Sequence, residues 1–133
     1  PKLARAMVNL ARVKPGDTIL DPFCGTGGFL IEAGLMGASR VIGTDIDWKM
    51  VRGARLNLEH YGVEDFVVYY GDANDLPLPF PDESVDAIAT DPPYGRSTTT
   101  ASEDLEELYR RSLESFHEVL KPHGWIAFAA PTD

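Results

Sequence analysis

Among 133 residues there is one cysteine, no glutamine and only three asparagines, Asn9, Asn57 and Asn74. With Cys24 alone, a disulfide framework and a cysteine-based metal site are both excluded, and a reducing, cytoplasmic setting is the default. The scarcity of thermolabile amides follows a trend of thermophilic proteins. No apolar run approaches the ~20 residues that span a bilayer, and no secretory pattern opens the chain, so no membrane role is expected. His60, His117 and His123 show no ligand spacing, and no metal is expected. Cations are also short. Twelve Lys and Arg face 21 Asp and Glu, giving a net charge of −9. Such a domain is not a strong non-specific nucleic-acid binder by itself. A nucleic-acid substrate stays open if a separate basic module does the docking.

What is present is enough apolar content, 44%, for the core of one domain over residues 1–133. There is no repeat and no low-complexity linker. The chain begins at Pro1 rather than methionine, and we expect a piece of a longer protein. Helical and strand patterns alternate, which means a mostly parallel α/β sheet with helices on both faces. Strands are expected at 18–20, 40–44, 66–70, 85–90 and 125–130. An opening helix at 2–12 is expected to bury Leu3, Met7, Leu10 and Ala11. A helix at 28–37 is expected to bury Phe29, Leu30, Ala33 and Met36. One at 47–61 is capped by Asp47, carries Met50, Val51, Ala54 and Leu58, and ends at Gly62. One at 104–120 points Leu105, Leu108, Leu113, Phe116 and Leu120 inward. Residues 76–81 are too proline-rich for regular structure, and the hydroxyl-rich segment 95–102 reads as a lid. A doubly wound sheet carries further strands, so the C-terminal part of the domain is expected to lie outside this chain.

Four features fall at carboxyl ends of expected strands, the edge where open α/β sheets bind ligands. The first is Asp21-Pro22-Phe23-Cys24-Gly25-Thr26-Gly27-Gly28. Its glycines admit a ligand to the backbone, and the helix behind it offers free N–H groups. The spacing is wrong for a dinucleotide, since the third glycine of G-x-G-x-x-G falls at Leu30. Asp21 beside the loop suits a cationic ligand. The second is Asp45, about twenty residues on, where an acid accepts from ribose hydroxyls; Asp47 is the better helix cap. The third is Asp72 in Gly71-Asp72-Ala73, either an acceptor for an adenine amine or a plain turn. The fourth is Asp91-Pro92-Pro93-Tyr94. Two prolines stiffen the strand tip and fix a carboxylate, a carbonyl and a ring, as gripping a flat, amine-bearing ring requires. A rigid turn with a buried tyrosine is the plainer alternative. Trp48 could cover an adenine, and Arg96 could meet a phosphate. Cys24, set apart from the Asp91 turn, reads as packing rather than as a nucleophile.

Together these motifs resemble class I S-adenosylmethionine-dependent methyltransferases that modify exocyclic amines. The resemblance covers essentially the whole chain, from the lead-in Pro1-Lys2-Leu3-Ala4-Arg5-Ala6-Met7. The runs Gly43-Thr44-Asp45-Ile46-Asp47 and Asp91-Pro92-Pro93-Tyr94-Gly95-Arg96-Ser97 are most similar to the archaeal tRNA guanine-N2 methyltransferase group. The resemblance implies methyl transfer to guanosine at position 10 of tRNA, with an RNA-binding THUMP domain elsewhere docking the tRNA. It implies cofactor contacts from Asp21, Pro22, Phe23, Gly25, Thr26, Gly27, Asp45, Ile46, Asp72 and Ala73. Asp91, Pro92, Pro93 and Tyr94 would serve the reaction. A DNA adenine-N6 or cytosine-N4 methyltransferase and a non-catalytic cofactor-binding module are the competing readings. A protein-glutamine enzyme fits less well, because its pattern has Asn in place of Asp91, and Leu30 argues against an NAD-dependent oxidoreductase.

Overall fold

The apolar runs become five strands: β1 Thr18–Asp21, β2 Arg40–Asp45, β3 Phe66–Tyr70, β4 Val85–Thr90 and β5 Leu120–Phe128. In the computed structural model, which describes residues 2–76, 83–93 and 102–129, they form one parallel sheet of order β3-β2-β1-β4-β5. The helices are α1 Lys2–Leu10, α2 Gly28–Leu35, α3 Trp48–His60 and α4 Ser102–Val119, with a 3₁₀ turn at Ala73–Asp75.

Strand alternation sends successive side chains to opposite faces. Ile19, Val41, Val68 and Ala87 meet α1, α2 and α3 in one apolar cluster. Leu20, Ile42, Val85 and Ile88 meet Phe116 and Val119 of α4 in another. Both faces of the sheet are therefore covered, as parallel sheets require. In α3 the fully buried Val51, Ala54 and Leu58 recur at helical spacing, and each large aliphatic side chain so buried contributes roughly 1.5–3 kcal/mol. Asp47 caps this helix by accepting the Lys49 N–H, and Gly62 follows its end with φ of 77°.

Three expected faces are corrected. In α1 the buried stripe is Ala4, Met7, Val8 and Ala11, whereas Leu3 and Leu10 are 58% and 67% exposed. The small Ala4 and Ala11 let α1 lie close against the sheet and α2, and that rotation turns the two leucines outward. In α2, Phe29 and Met36 are only half-buried, and Glu32 goes inward to meet Arg5. In α4, Leu113 is exposed and Ser112 and Ser115 are buried. That face packs on the 3₁₀ turn, where the Ser112 hydroxyl donates to Asn74 and Ser115 accepts the Leu76 N–H. A hydroxyl partner is needed there and a leucine supplies none. Strand β5 touches β4 earlier than expected, at Leu120. It then shifts register and rejoins at Trp125 opposite Ala87. The segments 77–82 and 94–101, with most of the expected proline loop and most of the lid, lie outside the described residues.

Candidate active site at the sheet switch point

Strand β1 has β2 on one side and β4 on the other, so the winding of the sheet reverses between β1 and β4. A crevice opens at the carboxyl ends of strands at such a point. Asp21 ends β1 and Thr90 ends β4. A cavity of about 310 Å³ lies here, lined by Asp21, Phe23, Cys24, Thr26, Gly28, Phe29 and Asp91, with Leu3 and Ala4 of α1. The loop after β1 and the Asp91 turn, 70 positions apart in sequence, thus share one wall.

The loop is shaped by glycine. Gly25 and Gly27 have φ of 52° and 95°, where side chains are strained. Gly27 caps α2 without a side chain of its own. The loop can sit low on β2 because residue 43 is glycine: a Cβ there would come within 2.6 Å of Leu30 Cδ1 and 3.0 Å of Cys24. Buried threonines hold it on both sides. Thr44 Oγ1 donates to the Pro22 carbonyl at 2.8 Å, and the Cys24 N–H donates to the Thr44 carbonyl at 2.9 Å. Thr90 Oγ1 donates to Asp21 Oδ1 at 2.6 Å. Sequence reasoning passed over both threonines.

Asp21 is 3% exposed and accepts the Phe23 N–H on the same oxygen. Burial pushes its carboxyl up to about 7, against the lowering effect of those two hydrogen bonds, and Asp45 and Asp91 push the same way. Asp45 stands at the end of β2, with Oδ2 accepting the Gly25 N–H and Oδ1 the Asp47 N–H. It ties the loop to β2 while remaining half-exposed. Ile46 beside it is 66% exposed. Asp72 starts the 3₁₀ turn by accepting the Asn74 N–H, the plain-turn arrangement. It also lines a second, smaller cavity of about 230 Å³ with Thr44, Tyr69, Tyr70 and Gly71. Ala73 is buried and is not among the residues lining that cavity. Trp48 stacks on Tyr70, ring centroids 5.3 Å apart.

Asp91 is half-buried, Pro92 buried and Pro93 exposed; Tyr94 and Arg96 lie outside the described residues. Cys24 is not apart from the Asp91 turn as expected, since both line the larger cavity. Its surroundings suit packing rather than nucleophilic attack. It is 5% exposed, and burial holds the thiol far above its ordinary range, with Asp21 and Asp45 adding to the effect. His60, His117 and His123 are all exposed and away from the cavity.

The chain is 64% identical over 131 residues to the tRNA (guanine(10)-N2)-dimethyltransferase of Methanothermobacter thermautotrophicus, covering 98% of this chain and 38% of that protein. It is 56% identical to the protein of that name from Pyrococcus abyssi, covering 100% of this chain and 39% of that one. It thus spans well under half the length of these curated relatives. The crystal structure of TrmN from Thermus thermophilus superposes with a TM-score of 0.82 at 34% identity, over 95% of this chain and 36% of that one. A SAM-dependent O-methyltransferase from Thermotoga maritima shares the fold at 22% identity, with a TM-score of 0.77 over 99% of this chain and 44% of its own. Over its whole length, residues 1–133, the chain matches and belongs to the RMKL-like methyltransferase domain family.

Proposed function

We propose that this domain transfers a methyl group from S-adenosylmethionine to the exocyclic N2 amine of a guanosine in tRNA, at position 10. The reading rests on one observation above others: an acid of the glycine loop, Asp21, and the acid of the Asp-Pro-Pro turn, Asp91, line a single cavity at the switch point. Two ligands can meet there. The names of the relatives supply the nucleobase and the nucleic acid.

The residues fit the cofactor. Beyond its chain neighbours and its own helix, a Cβ at Gly28, which lines the cavity, would meet nothing within 4 Å, nor would one at Gly25 beyond its neighbours. The space is kept open where a ligand must approach the backbone. Asp21 offers a carboxylate to the ammonium of the methionine part, and Pro22, Phe23, Gly25, Thr26 and Gly27 shape the wall around it. Asp45 accepts from the ribose hydroxyls beside Ile46. Asp72, which lines the smaller cavity, serves the adenine, with Ala73 packed behind it.

S-adenosylmethionine supplies an electrophilic methyl on a sulfonium whose leaving group is a neutral thioether. The amine is the harder partner, because its lone pair is delocalised into the ring. Asp91 and the Pro92 carbonyl accept its two N–H bonds and favour a lone pair aimed at the methyl. When the cofactor is bound, Asp91 would take the proton that the amine nitrogen sheds on accepting the methyl. Alignment of this kind contributes up to roughly 7–11 kcal/mol, and the carboxylate stabilises charge developing on nitrogen. Tyr94 stacks on the flipped base, worth about 1–3 kcal/mol. With a net charge of −9, docking of the tRNA falls mainly to a domain outside this chain, in the cytoplasm. Asp91→Asn in the whole protein is expected to abolish transfer of labelled methyl to tRNA while cofactor binding persists. Near-normal turnover would sink the role given to Asp91.

A further inference from the structure

Two buried threonines flank β1, and they do different work. Thr44 donates to a backbone carbonyl, that of Pro22. Thr90 donates to a side-chain carboxylate, Asp21 Oδ1, at 2.6 Å, across 69 positions of sequence. Thr90 itself is fully buried and is the last residue before Asp91. Its own backbone carbonyl is fixed by the Ala129 N–H at 3.1 Å. Asp21 Oδ1 therefore has two donors, Thr90 and Phe23. Among the described residues no hydrogen bond reaches Oδ2, and Asp21 lines the cavity that Asp91 shares.

We propose that Thr90 is a positioning residue joining the two halves of the site: its hydroxyl orients Asp21 so that Oδ2 meets the cofactor's ammonium, and so ties the cofactor loop to the strand end that carries Asp91. The inference rests on the methyl-transfer reading and adds to it a residue outside the recognised motifs. Water cannot substitute for this donor, because both groups are out of solvent. A hydrogen bond to a charged acceptor is worth about 1.5–3 kcal/mol, enough to bias both the orientation and the ionisation of the carboxylate. The orientation of Asp21 and its link to the strand that carries Asp91 then run through one contact.

The test uses the whole protein in two arms. In the first, without cofactor, the Asp21 carboxyl is followed by carbon NMR through a pH titration. Thr90→Val is expected to raise its midpoint by about one pH unit or more, and Thr90→Ser to leave it in place. Thr44→Val, which removes a neutral partner, is expected to lower stability without moving the Asp21 midpoint. In the second arm S-adenosylmethionine binding and turnover are measured at pH 7.5. Thr90→Val is expected to weaken cofactor binding about tenfold or more, with the KM for tRNA little changed, and Thr90→Ser to recover to within about twofold. Thr90→Cys, a weaker donor, is expected to fall between Val and Ser, and it decides the matter if the valine variant does not fold. A valine variant that titrates Asp21 and binds cofactor like the unmodified protein overturns the proposal, as does a cysteine variant equal to serine. Failure of the unmodified protein to bind S-adenosylmethionine overturns the methyl-transfer reading instead, and the first arm still reads the Thr90–Asp21 coupling separately.

Discussion

Replacing Asp21 by Asn is expected to flatten the dependence of stability on pH while impairing the site. The folded chain holds the Asp21 proton to about pH 7, against 3.8 for the unconstrained group. Between these values the folded state binds more protons than the unfolded state, so stability falls as pH rises through the window. The full integral is about 4 kcal/mol as an upper bound, and about 2–3 kcal/mol of it falls between pH 5 and pH 8. Asparagine keeps an oxygen for Thr90 and Phe23 and exchanges only the other atom for an NH₂. Any cost of that NH₂ is equal at both pH values and cancels in the comparison. Urea unfolding of the whole protein and the Asn variant at pH 5 and pH 8 measures the difference. The variant is expected to gain about 2–3 kcal/mol on the unmodified protein from pH 5 to pH 8, and to bind S-adenosylmethionine poorly. A destabilising acid kept at a site is the usual exchange of stability for function. Parallel stability curves for the two proteins would refute the reasoning, because they would place the Asp21 proton in the ordinary carboxylate range.

Other expectations follow from the same structure. Asp86 titrates in the opposite sense. Against the raising effect of its partial burial, the Thr18 N–H and Lys121 hold its carboxyl below the usual range. Asp86→Asn should therefore destabilise at neutral pH, by an amount that vanishes as pH falls through the folded-state value; equal losses at pH 3 and pH 7 in urea titrations would contradict this. Gly43→Ala forces a Cβ against Leu30 and Cys24 and should cost about 1–3 kcal/mol. Calorimetry should show a lower Tm, and titration a weaker hold on the cofactor, since the displaced loop carries Gly25 and Gly27. An unchanged Tm would mean that the loop does not rest on β2 as described. Asp91→Asn should separate cofactor binding from methyl transfer, read by equilibrium binding beside label incorporation.

The strands were legible because each is a short apolar run between turn residues, and their parallel sense followed from the alternating pattern, whereas their order in the sheet came from the structure. The glycine loop, Asp45, Asp72 and the Asp91 turn were legible as local motifs at strand ends. Their sharing of one edge follows from parallel winding alone. What sequence did not give was whatever depends on distant partners. Leu3 and Leu10 were expected inside because helical spacing defines a stripe only up to rotation, and the small Ala4 and Ala11 settled that rotation. Leu113 was expected inside because the need of Asn74 and Leu76 for hydroxyl partners cannot be read from the helix that supplies them. Thr44 and Thr90 carry no motif. Their importance arises from hydrogen bonds spanning 22 and 69 positions, and a buried threonine at a strand end looks the same with or without such a bond.

The activity proposed for this domain is transfer of a methyl to the N2 amine of a tRNA guanosine. Incubating the whole protein with unmodified tRNA and labelled S-adenosylmethionine, then resolving the nucleosides by mass spectrometry, tests it most directly. Label in N2-methylguanosine or its dimethyl form, mapped to position 10 and absent with Asp91→Asn, is the expected result. Label appearing instead in N6-methyladenine of DNA, or in no nucleoside although the cofactor binds, would contradict it.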